Sequence, residues 1–414
     1  MVSSDIKYRN YMHDIYNTFS PLNWLLEIFS LDCIRSEDNK KSKSYWVVFR
    51  NVLTASFLTG VNIYTLYYKF NWLYSNLVTS VIYTDVLQMV YDIFQYIVDL
   101  YFAHKYGSDV FHEYVLHYAY IDGTFGTEYY SSVKKRITKV MIFIISMWGS
   151  SNLCDFLIWG NGLGFLAASV FSVAYVYMLI KILTNLHVTL HVLQIESRLR
   201  VIGDLIQDYY CGSVSCTARI EDAVIKKNWF YYHKTKLSSQ VHPVTNVCHQ
   251  DSSDVKRLSR CYLLLTEQVY FINRMFGLRI LLNCLSLLID MVRFTNLTVR
   301  ILLGTQHTGY TQAFFPSIST FWRSLTCIIV IVSLVNHCED TYRQRERIIA
   351  LIQHLVMNRT LDEKMLAAYI ELRGLVQSQP INFHMAHLMR IDYPLLISIT
   401  SLFVTYTIIL IQSI

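Results

Sequence analysis

Residues 393–414 read YPLLISITSLFVTYTIILIQSI. On a helix at 100° per residue counted from Ser398, the side chains of Ser401, Thr405, Ile409 and Gln412 fall near about 300°, 340°, 20° and 320°. Polar residues thus occupy four of the five places on one stripe of a segment otherwise made largely of Leu, Ile, Val and Phe. A polar stripe in lipid either packs against another helix or lines water. Serine and threonine can bond back to their own helix, so Gln412 is the strongest pointer of the set. Several copies around an axis would turn the stripe into a pore wall, with Gln412 as a ring of amides and Ile409 as an alkyl ring able to dewet and close it. No acidic ring lies on the stripe, an arrangement suited to weak discrimination among small cations.

Outward from this segment, six further stretches reach the roughly 20 apolar residues that a bilayer crossing needs: Trp46–Tyr68, Val78–Phe102, Ile137–Trp159, Leu163–Thr184, Phe276–Leu297 and Phe314–Asn336. The composition agrees. Of 414 residues 53% are hydrophobic and 16% charged, with mean hydropathy +0.31. That is too little charge to cover a soluble surface, and it excludes disordered, fibrous and nucleic-acid-binding classes. The first forty residues carry charges throughout, and no signal peptide is expected. The expected class is an all-α polytopic membrane protein of seven transmembrane helices in the plasma membrane.

Lys and Arg set the orientation. With a cytosolic N-terminus, the inner segments 1–45, 103–136, 185–275 and 337–392 hold 27 of them, or 28 with Arg274 at the edge of a span. The outer loops 69–77, 160–162 and 298–313 hold Lys69 and Arg300 alone. The positive-inside rule therefore puts the N-terminus in the cytosol and the C-terminus outside. Arg50, Lys181, Arg274, Arg279 and Asp99 then read as anchors near the inner boundary. Apolar residues three and four apart continue beyond spans four, five and six, as in Leu190, Leu193, Leu199 and in Leu258, Tyr262, Leu265. They predict helices that project into the cytosol and form an anchor domain, with an assembly core over 345–376. The organisation is a cytosolic segment 1–45, transmembrane helices one to four over 46–184, helical extensions and a polar loop over 185–275, helices five and six over 276–336, anchor helices over 337–392 and the pore-lining helix over 393–414.

Charged residues within the spans need inward-facing partners. Asp85, Asp155, Asp290, Arg293 and Arg323 all fall in the outer third, with Gln88, Trp322, Tyr83 and Trp159 at similar depth. They predict a polar, aromatic-lined ligand cavity open to the outside; the competing expectation is a structural network, with Asp290 and Arg293 neutralising each other at i, i+3. Asp92 has no obvious partner. Cys211, Cys216, His233, His242, Cys248 and His249 crowd one cytosolic loop without the spacing of a zinc finger, so no metal and no cofactor are expected. Asn296-Leu297-Thr298 is a candidate glycosylation sequon.

Thr405-Tyr406, five residues and then Gln412 resemble the TYhhhhhQ signature that closes insect gustatory receptors, which are related to insect odorant receptors and their co-receptor. Thr407 departs from the aliphatic run, and Ser413 stands where Phe is usual. Asn273-Arg274-Met275-Phe276-Gly277, Cys338, the length and the inverted topology extend the resemblance. It implies a ligand-gated, non-selective cation channel joined by a cytosolic anchor domain into a homotetramer or a heteromer. It places the gate at Ile409 and selectivity at Gln412, with Thr405 and Ser413 beside them. It also implies a small-molecule tastant. Receptors for common sugars carry Glu just after the Tyr of the motif, where Thr407 stands here, which favours a bitter plant compound and leaves a fructose-like sugar open. A G-protein-coupled receptor would need the opposite orientation, a transporter would show internal repeats, and no enzyme motif is found.

Overall fold

The computed structural model describes residues 20, 22–31, 43–106, 109–126, 129–210, 252–305, 314–358 and 361–412. After a helical stretch over 22–28 come α1 (Lys43–Tyr68), α2 (Thr79–Tyr106), α3 (Asp109–Phe125), α4 (Tyr129–Leu163), α5 (Phe165–Tyr210), α6 (Ser252–Leu302), α7 (Phe314–Asn358), α8 (Glu363–Ser378) and α9 (Tyr393–Gln412). A two-stranded antiparallel hairpin, β1 (His384–Met385) with β2 (Met389–Arg390), precedes α9. The all-α, multi-pass reading of the sequence is met. Helices α4, α5, α6 and α7 are each long and apolar enough to cross a membrane, and α9 is a shorter apolar helix.

Helices α5, α6 and α7 run 46, 51 and 45 residues without a break. At 1.5 Å per residue each exceeds the roughly 30 Å of a hydrocarbon core by a wide margin. Their apolar periodicity carries on past the predicted span boundaries, so no sequence signal stops them there.

The chain divides into two compact units. The first comprises residues up to Ile195, Glu267–Thr341 and Asn382–Ile414. Its large buried side chains include Tyr96, Tyr118 and Phe276. Buried phenols and indoles there reach backbone carbonyls, Tyr96 donating to Phe29 and Tyr177 to Leu58, both at 3.0 Å, and Trp148 to Tyr175 at 3.1 Å. A polar tip that finds an acceptor lets a large aromatic be buried without an orphaned donor.

The second unit, Glu196–Thr266 with Tyr342–Ile381, has its own apolar core. Leu199, Ile202, Leu265, Ile348, Ile352 and Tyr369 are all fully enclosed. Arg345 donates to the Val376 carbonyl at 3.0 Å and Tyr262 donates to that of Gln379 at 2.8 Å, which satisfies the last carbonyls of α8 and its C-cap. Burial and the Arg345 charge act in opposite directions on the Tyr262 phenol, and burial wins, pushing it up to about 12. Ile352, expected in an inter-subunit core, thus packs inside one chain, whereas Ile370 and Met357 are exposed.

Candidate functional site: two buried ionic networks and an unpacked last helix

Helix α2 carries Asp85, Gln88, Asp92, Gln95 and Asp99. Steps of three and four residues put all five on one helical face, and all five are buried. From this stripe the first network is built. Asp85 Oδ2 accepts from Lys69 Nζ at 2.8 Å and from the Tyr74 hydroxyl at 2.7 Å, while Asp85 Oδ1 meets Arg293 at 2.8 Å. Arg293 also reaches Asp290 at 3.3 Å. Lys181 then bridges Asp290 at 2.6 Å and Asp92 at 2.7 Å. Gln88 donates to Asp92 at 2.6 Å and to Ser286 at 3.0 Å.

Three cations (Lys69, Lys181, Arg293) thus balance three carboxylates (Asp85, Asp92, Asp290) in a chain of alternating sign. Each isolated charge near a bilayer centre costs about 2.5–3.5 kcal/mol even on the lenient insertion scale. Alternation with zero net charge is what makes six of them tolerable together.

A second network surrounds Asp155 on α4. Its carboxylate takes Arg323 at 2.9 Å, the Tyr175 hydroxyl and the Ser319 hydroxyl at 2.6 Å each, and Trp159 Nε1 at 3.1 Å. Phe294 joins the two networks. Its ring lies under both guanidinium groups, with Arg323 at 4.2 Å and Arg293 at 4.7 Å from its centroid. Farther along α2, Asp99 and Arg279 form a pair at 2.7 Å with neither side chain exposed, and the Thr184 hydroxyl donates to Asp99 at 3.2 Å.

Of the seven ligand-binding candidates, Asp85, Gln88, Asp290 and Arg293 enter the first network and Asp155 and Arg323 the second. Trp322 enters neither and is partly exposed. Beside Lys69 and Asp92 lies a cavity of about 10 Å³, lined also by Asn62, Thr65 and Tyr177, room for about one water. The i, i+3 pairing of Asp290 with Arg293 is present, as part of a larger set.

Several sequence expectations change. Lys181 is no snorkelling anchor: it is buried and is the partner that Asp92 lacked on paper. Arg279 and Asp99 likewise pair with each other inside the protein. Lys69, assigned to an outer loop, is carried inward by a π-helical turn, Lys69–Leu73, that prolongs α1 past its expected end. Helical counting to Tyr68 missed this cation; the stripe of five polar residues on α2 was the signal that buried partners must exist. The sequon is closed, because Asn296 is buried, its carbonyl accepting from Arg300 at 3.0 Å. The Cys and His loop at 211–249 and Ser413 lie outside the described residues.

The candidate pore residues are arranged quite differently. From Ile397 onward α9 is exposed on almost every side, including Ser398, Ser401, Thr405, Gln412 and, at 54%, Ile409. Ser398 and Thr405 donate only to carbonyls of their own helix, at 3.1 and 2.8 Å. Thr407 points away from the stripe; it is half-buried and its hydroxyl has no hydrogen-bond partner. Tyr393 N–H donates to Glu339 at 3.1 Å and Leu395 N–H to the Asp392 carboxylate at 3.2 Å, so the first turn of α9 is capped.

Comparison with known proteins gives a consistent result. A family model described as 7tm chemosensory receptor matches residues 19–414. No curated protein sequence matches the chain. Among solved structures, the insect olfactory receptor OR5 from Machilis hrabei superposes with a TM-score of 0.62 in its complex with eugenol and 0.61 in a second structure. Identity is 11% in both cases, over 98% of this chain and all of the other. At that identity the likeness is one of fold.

Proposed function

Since the chain belongs to the 7tm chemosensory receptor family, we propose that it is a ligand-gated, non-selective cation channel that serves as a taste receptor for a small molecule. Seven crossings with the N-terminus inside complete the proposal, on the strength of the charge bias between inner and outer segments. The observation that carries it is the state of α9. A helix with a polar stripe at Ser398, Ser401, Thr405 and Gln412 finds no cover for that stripe among the described residues. A homotetramer would give it cover by placing four stripes around an axis, with Ile409 as the narrow hydrophobic ring and Gln412 lining the outer mouth.

The ligand we propose is a small aromatic plant compound of the bitter class. Thr407 in place of the acidic residue found in receptors for common sugars supports this, as does the eugenol bound by the olfactory receptor of similar fold. The two ionic networks hold the helices together around whatever site the ligand uses. Whole-cell recording from cells that express this chain alone tests the proposal. Small aromatics should evoke an inward current carried by both Na⁺ and K⁺. Silence to a broad aromatic panel, with the protein present at the surface, would contradict it.

A further inference from the structure

The hairpin before α9 is small, yet it is fastened with unusual care. Asn273 on α6 donates through Nδ2 to the Asn382 carbonyl at 2.8 Å and accepts through Oδ1 from His384 N–H at 2.9 Å. One amide therefore holds the hairpin's leading strand at two points. One helical turn farther on, Gly277 lets the same backbone approach: a Cβ there would lie 3.0 Å from Ala386 N and 3.1 Å from the His384 carbonyl. A methyl group there would push the hairpin backbone back by a few tenths of an ångström, which is a physical reason for Gly at this place. Ala386 and His387 at the turn both have positive φ, 50° and 59°, without being glycine. They are the central residues of a β-turn within the three-residue loop 386–388, closed by Leu388 N–H donating to the Met385 carbonyl at 2.9 Å, and turns with positive φ at both central places usually take Asn-Gly. Non-glycine residues persist in that region when their surroundings over-determine it, and such outliers point to function.

The clasp joins two elements of interest. Going outward, α6 carries Asp290 and Arg293 about 20 Å beyond Gly277, at 1.5 Å per residue, and so belongs to the first ionic network. Going forward in the chain, the hairpin leads through Ile391 and Asp392 directly into the capped first turn of α9. Beyond that turn α9 is largely exposed.

We propose that Asn273 and Gly277 are positioning residues for the pore helix: they fix the hairpin to α6, so that a shift of α6 is handed to the inner end of α9 and the helix is otherwise held at rest. This rests on the channel reading above.

The test uses full-length chain in voltage-clamped cells with K⁺ and Na⁺ as the permeant ions and no ligand, each current normalised to surface protein. Ile409→Ser serves as the reference for a conducting pore. Asn273→Ala and Gly277→Ala should each raise the resting current at least fivefold over the unsubstituted chain, with the Na⁺ to K⁺ permeability ratio unchanged. Asn273→Asp, which still accepts from His384 but no longer donates to Asn382, should fall between. A residue that merely supports folding would alter surface level and leave current per surface channel unmoved. The inference is overturned if Ile409→Ser conducts while the clasp variants keep the unsubstituted chain's resting current. Retention of both Asn273 variants inside the cell also counts against it, because the clasp is assigned to gating and not to folding. If Ile409→Ser itself carries no current, the channel reading fails first.

Discussion

Helices α2 and α9 bear the same pattern and meet opposite fates. Each has a line of polar residues at steps of three and four: Asp85 to Asp99 on α2, Ser398 to Gln412 on α9. On α2 every member is buried and meets a polar partner from another helix of the same chain. On α9 the stripe faces outward, and the Ser398 and Thr405 hydroxyls turn back on their own backbone. The difference lies in chemistry. Carboxylates in a membrane demand compensation inside the molecule that carries them. Serine and threonine satisfy themselves on their own backbone well enough to wait for a second copy or for water, and Gln412 carries no charge to compensate. A polar stripe alone thus does not say whether a helix face is buried within its own chain; the charge on it does.

The comparison breaks most visibly on the α2 side. Lys181→Met leaves Asp92 and Asp290 sharing an uncompensated negative charge, and loss of one member of a buried pair costs about 3–5 kcal/mol. Surface protein should fall at least tenfold. Lys181→Met combined with Asp92→Asn restores neutrality and should recover a good part of it. Equal surface levels for the single and the double variant would mean that the network's charge balance does not matter.

On the α9 side, Ile409→Ser should leave surface level intact and produce current without ligand, because a smaller and polar ring wets more readily. A silent, well-expressed Ile409→Ser would return α9 to the role of a packing helix. In the second unit, Ile370→Asp should weaken assembly in detergent without unfolding the chain, since Ile370 is exposed. Ile352→Asp should instead disrupt that unit's own core. Size-exclusion profiles of the two variants separate these outcomes. Thr407→Val should change almost nothing in permeation, and surface level should hold or rise slightly, since it removes a hydroxyl that has no partner.

The smallest effect concerns pH. Burial, with His387 and Arg390 nearby, holds the His384 imidazole below its ordinary range. A base with a lowered folded pKa binds fewer protons folded than unfolded, so its contribution is complete above about pH 6.5 and is lost as pH falls below it. Resting current should be flat from cytosolic pH 8 to 7 and begin to change only below 6.5.

Most helices were legible because Leu, Ile and Val recur at helical spacing, and the continuation of that spacing through Leu190–Leu199 and Leu258–Leu265 foretold the long α5 and α6. The pore candidates came from a pattern local to one helix, which is the kind of information a sequence carries best. What escaped was non-local or irregular. Lys69 reaches Asp85 only because a π-turn replaces the end expected at Tyr68, and no residue type announces such a turn. Lys181 finds Asp290 across 109 positions of chain. Strands of two residues are too short for alternation to reveal, so on sequence alone the hairpin merges into a cytosolic helical segment. Asn273 and Gly277 were visible as part of a family motif, and their function in holding the hairpin became visible only in three dimensions.

Whether copies of α9 line a cation path, as proposed, is tested most directly by the Ca²⁺ to Na⁺ permeability ratio from reversal potentials of unsubstituted, Gln412→Ala and Gln412→Glu chains. A ring of carboxylates in place of amides should raise that ratio several-fold for Gln412→Glu, and Gln412→Ala should shift it without loss of surface protein. Identical reversal potentials in all three, accompanied by falling surface expression, would mean that Gln412 binds helices together and that the ions pass elsewhere.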